Sequence, residues 1–197
     1  SNQEDKLKKL FAREYPILTA EKRLKDIAKD VVEHFNTRGY RGKAMFVALD
    51  KVTAVKMYNY ITEAWETYLT EQKQKIQNIQ DEQEQLIRQR EWQWSEETEI
   101  AVVVSNEQNE IEKFEAWGLD IEPHRLKMNT SDLEKDFKDE NHPFRFAIVC
   151  AMWITGFDVT SLSTMYIDKP LKAHTLMQTI ARANRIHKDK NNGLIVD

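Results

Sequence analysis

Two rhythms of apolar residues alternate along the chain. Leu24, Ile27, Ala28, Val31, Val32 and Phe35 recur at helical spacing and predict a helix beginning at Thr19 or Ala20, with Gly39 as its C-terminal cap. Lys43 to Leu49 is then a continuous apolar run, as expected of a strand buried on both faces of a parallel sheet. Asp50 can cap a helix from Lys51 that carries Val52, Val55, Tyr58, Ile61, Trp65 and Tyr68 at core spacing. Ile100 to Ser105 and Phe146 to Met152 are further buried runs, and Thr164 to Ile167 reads as a short strand closed by Asp168-Lys169-Pro170. Glu107 to Trp117 is expected to form a short helix ended by Gly118. Irregular chain should follow until Ser131-Asp132, which can cap a helix through Phe137. Asn141-His142-Pro143 is a turn, and a last helix covers about Lys172 to His187. The alternation predicts an α/β fold, a three-layer doubly wound parallel sheet with right-handed crossovers.

Two segments stand outside this alternation. Residues 1–15 are charged, with Leu7, Leu10 and Phe11 as a thin apolar stripe, and Pro16 is expected to break the helix they form. The segment to residue 18 reads as a linker helix arriving from an upstream domain. The second segment, about residues 66–98, reads as a polar helical insertion. Eight glutamines lie between positions 72 and 93, with only Ile76, Ile79, Leu86 and Ile87 as apolar points before Trp92 and Trp94. It is expected to be a solvated arm or hairpin, dispensable for the sheet. The two tryptophans suggest a docking role, since exposed aromatics mark interfaces.

Composition narrows the setting. At 197 residues the chain fits one domain with a sizeable core, and 41% hydrophobic with 31% charged residues is the balance of a globular protein. A net charge of −4 argues against bulk electrostatic attraction to nucleic acid, but leaves room for a strand held by backbone amides, hydroxyls and a few placed cations. No apolar run has the length of a membrane span and no signal peptide is visible, so a cytoplasmic location is expected. The opening Ser-Asn, without methionine, reads as a remnant ahead of an excised domain. Cys150 is the single cysteine and reads as a small buried hydrophobe. His34 reads as a surface or interface residue. His124 and His142 show no metal-ligand spacing.

Candidate chemistry gathers in the last fifty residues. The loop after the Phe146–Met152 run carries Thr155, Gly156 and Asp158 at the carboxyl end of its strand, where open α/β sheets bind ligands. On the last helix Gln178, Arg182 and Arg185 are spaced i, i+4, i+7 and project from one side, while Leu176, Ile180, Ala183 and Ile186 fall roughly opposite. Guanidinium offers a planar, permanently charged fork that suits phosphate; an ordinary solvated face paired with surface carboxylates would show the same spacing. His174 lies one turn before Gln178 on that side and can contact nucleotide or the Asp168–Lys169 loop.

The ordered set TGFD, DKP, QTIARANR and GLIVD resembles motifs V and VI of superfamily two helicases. It is most similar to the R (restriction, motor-nuclease) subunit of type I restriction-modification enzymes, down to the alanine, Ala181, before the first arginine. The resemblance covers Phe144–Asp197 strongly and Ala44–Tyr58 more loosely. It implies the second RecA-like motor domain, with ATP and Mg2+ bound mainly by a first motor domain absent here. The chain itself has neither a G-x-x-x-x-G-K-S/T loop nor an acidic magnesium box. By the same resemblance, Arg185 is the arginine finger at the γ-phosphate and Arg182 its neighbour on the phosphates. Gln178 orients water or the arginines, Gly156 admits close approach, and Asp158 accepts from a ribose hydroxyl or holds an arginine. Thr155 lies nearer the DNA backbone. The implied partners are double-stranded DNA, the first motor domain, and the methyltransferase and specificity subunits. The isolated chain is expected to be inactive. The rival expectations are a motor domain of another superfamily two helicase or remodeller, and a non-catalytic α/β scaffold that docks partner subunits through the glutamine-rich arm.

Overall fold

The computed structural model describes residues 2–39, 41–150, 162–168 and 194–196. Within them all strand pairings run parallel, and the five strands lie side by side in the order β2-β3-β1-β4-β5. The strands are β1 Lys43–Ala48, β2 Glu99–Val103, β3 Phe144–Cys150, β4 Leu162–Asp168 and β5 Leu194–Val196. β1 is central and all six of its residues are buried, which is what a near-continuous apolar run achieves when both faces of a sheet are covered. Ala44 pairs with Phe146 on one side and Thr164 on the other.

The two-residue period of the strands divides the core into two layers. Ala44, Phe46, Ala48, Phe146, Ile148 and Tyr166 face α2 (Glu21–Thr37) and α3 (Lys51–Gln77). Met45, Val47, Phe144, Ala147, Val149 and Ile167 face the opposite way, where Leu133 and Phe137 of α7 (Leu133–Lys138) pack on them. The doubly wound α/β architecture expected from the sequence is therefore present. The predicted stripe of α2, Leu24 to Phe35, is its buried set, and Gly39 follows at φ +79°, a left-handed conformation that glycine adopts without strain. Asp50 caps α3 by accepting from the Thr53 amide at 2.7 Å.

Several expectations are corrected. Pro16 does not break α1, which runs Asn2–Leu18; it stands in the last turn, where only a few residues of helix remain to be disturbed. The stretch read as irregular contains α6, Glu122–Thr130, whose start is favoured by Pro123 in its first turn. α5 is shorter than expected, Glu110–Glu115, because Asn109 at φ 56° interrupts the helical path. His34 is half-buried. Its Nδ1 lies 2.7 Å from the Tyr166 hydroxyl, and burial lowers its pKa.

The glutamine-rich segment is a helical hairpin, the far end of α3 returning through α4 (Glu82–Glu97). Its tryptophans face inward rather than toward a partner. Trp94 stacks on Phe35 at 5.6 Å, with the Arg145 guanidinium 4.5 Å from its ring, and the Trp92 indole donates to the Leu69 carbonyl at 2.8 Å. Ile76 is buried within the hairpin, while Leu86 and Ile87 are exposed. The tryptophans thus no longer support a docking arm.

Candidate functional site

Parallel strands deliver all their carboxyl ends to one edge, so the chain leaves the sheet there after Ala48, Val103, Cys150, Asp168 and Val196. β1, β3 and β4 occupy the middle of that edge. The strand that follows β1 in sequence, β2, lies to one side of it and the strand that follows β4, β5, lies to the other, so the winding reverses between β1 and β4, as at the switch points where such sheets bind ligands. Thr155, Gly156 and Asp158, which follow β3 in sequence, and Gln178, Arg182 and Arg185, which follow β4, lie outside the described residues. So do Met152, His174 and the helix expected over Lys172–His187.

Asp50 and Asp168 stand at this edge, and both are engaged. Asp50, just past β1, accepts from the Thr53 amide through Oδ1 and from the Tyr15 hydroxyl through Oδ2, each at 2.7 Å. Burial raises the Tyr15 pKa and the bond to Asp50 raises it further, so the phenol remains a donor. Asp168, the last residue of β4, is 1% exposed. The Arg23 guanidinium grips it at two points, 2.5 Å to Oδ1 and 3.2 Å to Oδ2, and donates also to the Leu18 carbonyl at 2.7 Å. A buried carboxylate is tolerated only with such a partner.

Beside Asp50 the ends of β1 and β3 open into a groove of about 600 Å³, lined among others by Lys51, Lys113, Phe114, Trp117 and Cys150. Lys113 is paired with Glu107 at 3.1 Å. Trp117 is half exposed, with the Lys56 ammonium 4.7 Å from its ring centre and the Tyr15 ring edge-on at 6.5 Å. The groove's two lysines, Lys51 and Lys113, are matched by two carboxylates, Asp50 and Glu107, so its lining is mainly apolar and balanced in charge. His124 packs edge-on against Tyr58 at 4.5 Å, and burial lowers its pKa; His142 Nδ1 accepts from the Phe144 amide at 3.0 Å. Among the described residues no group of three or more acidic, histidine or cysteine side chains is arranged to hold a metal, and no helix is long and apolar enough to cross a membrane.

Tyr15, Arg23 and Trp117 were not legible as edge residues in the sequence. Asp168 was noted only as a strand terminator, and its partner stands 145 positions earlier. No local pattern connects them.

A family described as type I restriction enzyme subunit R domain 3 matches residues 40–197. The chain belongs to this family. An endonuclease subunit assigned to the type I restriction enzyme MjaIXP of Methanocaldococcus jannaschii is 37% identical over 196 residues, covering 98% of this chain. The type I restriction enzyme HindI endonuclease subunit of Haemophilus influenzae is 33% identical over 187 residues, covering 92% of this chain. In both cases the R-subunit domain spans 15% of the length of the relative. Its central strands β1, β3 and β4 all fall inside the matched residues.

Proposed function

We propose that this R-subunit domain is the second motor module of an ATP-dependent DNA translocase, and that it completes an ATP site whose other half lies on a first motor domain. The observation that supports the reading is the placement of β3 and β4, the strands that precede TGFD and QTIARANR in sequence, on either side of β1 in one parallel sheet. Within this reading Arg182 and Arg185 meet the nucleotide phosphates, Gln178 orients them or the attacking water, and Gly156 and Asp158 line the nucleotide. Thr155 touches the DNA backbone. The bound ATP and Mg2+ supply the transferable phosphoryl group and its charge neutralisation. Asp50 and Asp168 at the described edge are committed to Tyr15 and Arg23. In the full assembly the module would act on double-stranded DNA alongside methyltransferase and specificity subunits, moving DNA before cleavage.

Phosphoryl transfer depends on positioning and on stabilising charge in the transition state, and an arginine supplied from a facing domain contributes roughly 10³–10⁵ in rate. In the full-length subunit, Arg185→Ala should therefore lower kcat for DNA-dependent ATP hydrolysis by orders of magnitude with the KM for ATP little changed. A raised KM with intact kcat would assign Arg185 to ground-state binding and leave Arg182 as the finger. The isolated domain should not hydrolyse ATP; DNA-stimulated turnover by it alone would contradict the proposal.

A further inference from the structure

One guanidinium joins three parts of the fold. Arg23 sits in the first turn of α2, donates backward to the Leu18 carbonyl at the end of α1, and grips Asp168 at the end of β4. The Leu18 carbonyl belongs to the last turn of a helix, where carbonyls lack intrahelical donors. Just past the neighbouring strand β1, Asp50 takes the Tyr15 hydroxyl. Two carboxylates at the carboxyl ends of adjacent strands, Asp168 as the last residue of β4 and Asp50 two residues past β1, thus hold a single elbow running from Tyr15 to Arg23. Among the described side chains, those of α1 before Tyr15 are exposed, as are Pro16 and Ile17 just after it. The bonds of Tyr15 and Arg23 tie the elbow to the carboxyl edge of the sheet.

We propose that Arg23 is a positioning residue for ATP turnover. By fixing Asp168, it sets the point after which Lys169, Pro170 and the segment bearing Gln178, Arg182 and Arg185 follow in sequence, and ties that point to the end of α1. Tyr15 does the same for the neighbouring strand end at Asp50. This rests on the motor reading above. The physical reason is geometric: Asp168 is enclosed, and a two-point bond from a planar fork fixes direction as well as distance, which a lone ammonium cannot do. A shift of about 1 Å in a group that must meet the γ-phosphate can cost on the order of a hundredfold in rate.

The test uses the full-length subunit and follows kcat and KM for ATP together with the thermal midpoint. Arg23→Met should lower kcat by tenfold to a hundredfold, with KM held within about threefold. Arg23→Lys, which keeps the charge and loses the fork, should recover only part of kcat. Because Arg23→Met strands a buried carboxylate and can weaken the fold, the decisive variant is the double substitution Arg23→Met with Asp168→Leu. An apolar pair in place of a buried ion pair restores stability. The proposal expects the thermal midpoint to return while kcat stays low. It is overturned if kcat returns along with the midpoint, or if Arg23→Met leaves kcat untouched. Arg185→Ala run in parallel separates the two claims: if it too spares turnover, the motor reading fails. If it abolishes turnover while Arg23→Met does not, the positioning role alone is wrong.

Discussion

Lys43 stands at the head of an apolar run, and the fold encloses it to 2% exposure. Its ammonium donates to the Asp136 carbonyl at 2.8 Å and lies 5.4 Å from the centre of the Phe137 ring. Burial pushes its pKa down from 10.5 to about 8, against the pull of nearby Asp139. The sign follows directly. Below about pH 8 both folded and unfolded chains carry the proton, and the enclosed charge costs stability in full. Between about 8 and 10.5 the folded chain has released the proton and the unfolded chain has not, so stability rises with pH and the cost fades. Replacing Lys43 with Met should therefore relieve up to about 3 kcal/mol at pH 7, at about 1.36 kcal/mol per pKa unit, offset by about 1 kcal/mol for the orphaned carbonyl. Denaturant unfolding of wild type and Lys43→Met between pH 7 and 10 checks this, and a difference independent of pH would refute it. The sequence could not disclose this site. It shows a lysine beginning a strand, whereas the helix that closes over it arrives 93 positions later.

At the scale of elements, the best-read pieces were those whose own periodicity decides them. The six predicted apolar positions of α2 are its six buried ones, and Asp50 caps α3 as its position before the apolar stripe suggested. The helical hairpin was expected as such, but its anchoring was missed for the opposite reason. Its sparse stripe is polar on average, and what anchors it is supplied by distant groups: Phe35 and Arg145 for Trp94, and the Ser95 carbonyl for the Trp65 indole at 3.0 Å. The hairpin should accordingly divide into a required base and a dispensable tip. Trp94→Ala removes an aromatic stack and a cation–π contact and should cost about 2–4 kcal/mol, near the lower range for large aromatic truncations because the ring is only partly buried. A short flexible loop replacing residues 74–89, beyond the Trp92–Leu69 bond, should cost far less. Thermal melting of the two variants discriminates between them, and equal losses would mean that the buried Ile76 makes the tip part of the core.

The whole molecule is governed by an order of strands that local patterning could not reveal. Each strand was legible as a buried apolar run, but β3, late in the chain, inserts between β1 and β2, and β4 takes the other side of β1. The central pairing joins Ala44 to Phe146, and Lys43 to Leu162, so loops of about a hundred residues must close before β1 has any neighbour. The consequence is sharp for a shortened chain. A fragment ending at Asn141 retains β1 and β2, yet these two strands are not adjacent in the sheet and cannot pair as they do natively. Its strand amides and carbonyls would have no partners, and the apolar faces of α2 and α3 no sheet to cover. Residues 1–141 should therefore show helical circular dichroism, from α2 and α3 above all, without a cooperative melt and without slow-exchanging amides in Met45–Val47. The full chain should show both. The carboxyl edge that carries Asp50, Asp168 and the proposed nucleotide-facing segments would then form only after β3 and β4 have been made, which ties the site to completion of the fold rather than to any early subdomain. Protected amides in β1 of the fragment would show instead that α2, α3 and β1 form an independent unit onto which the rest condenses.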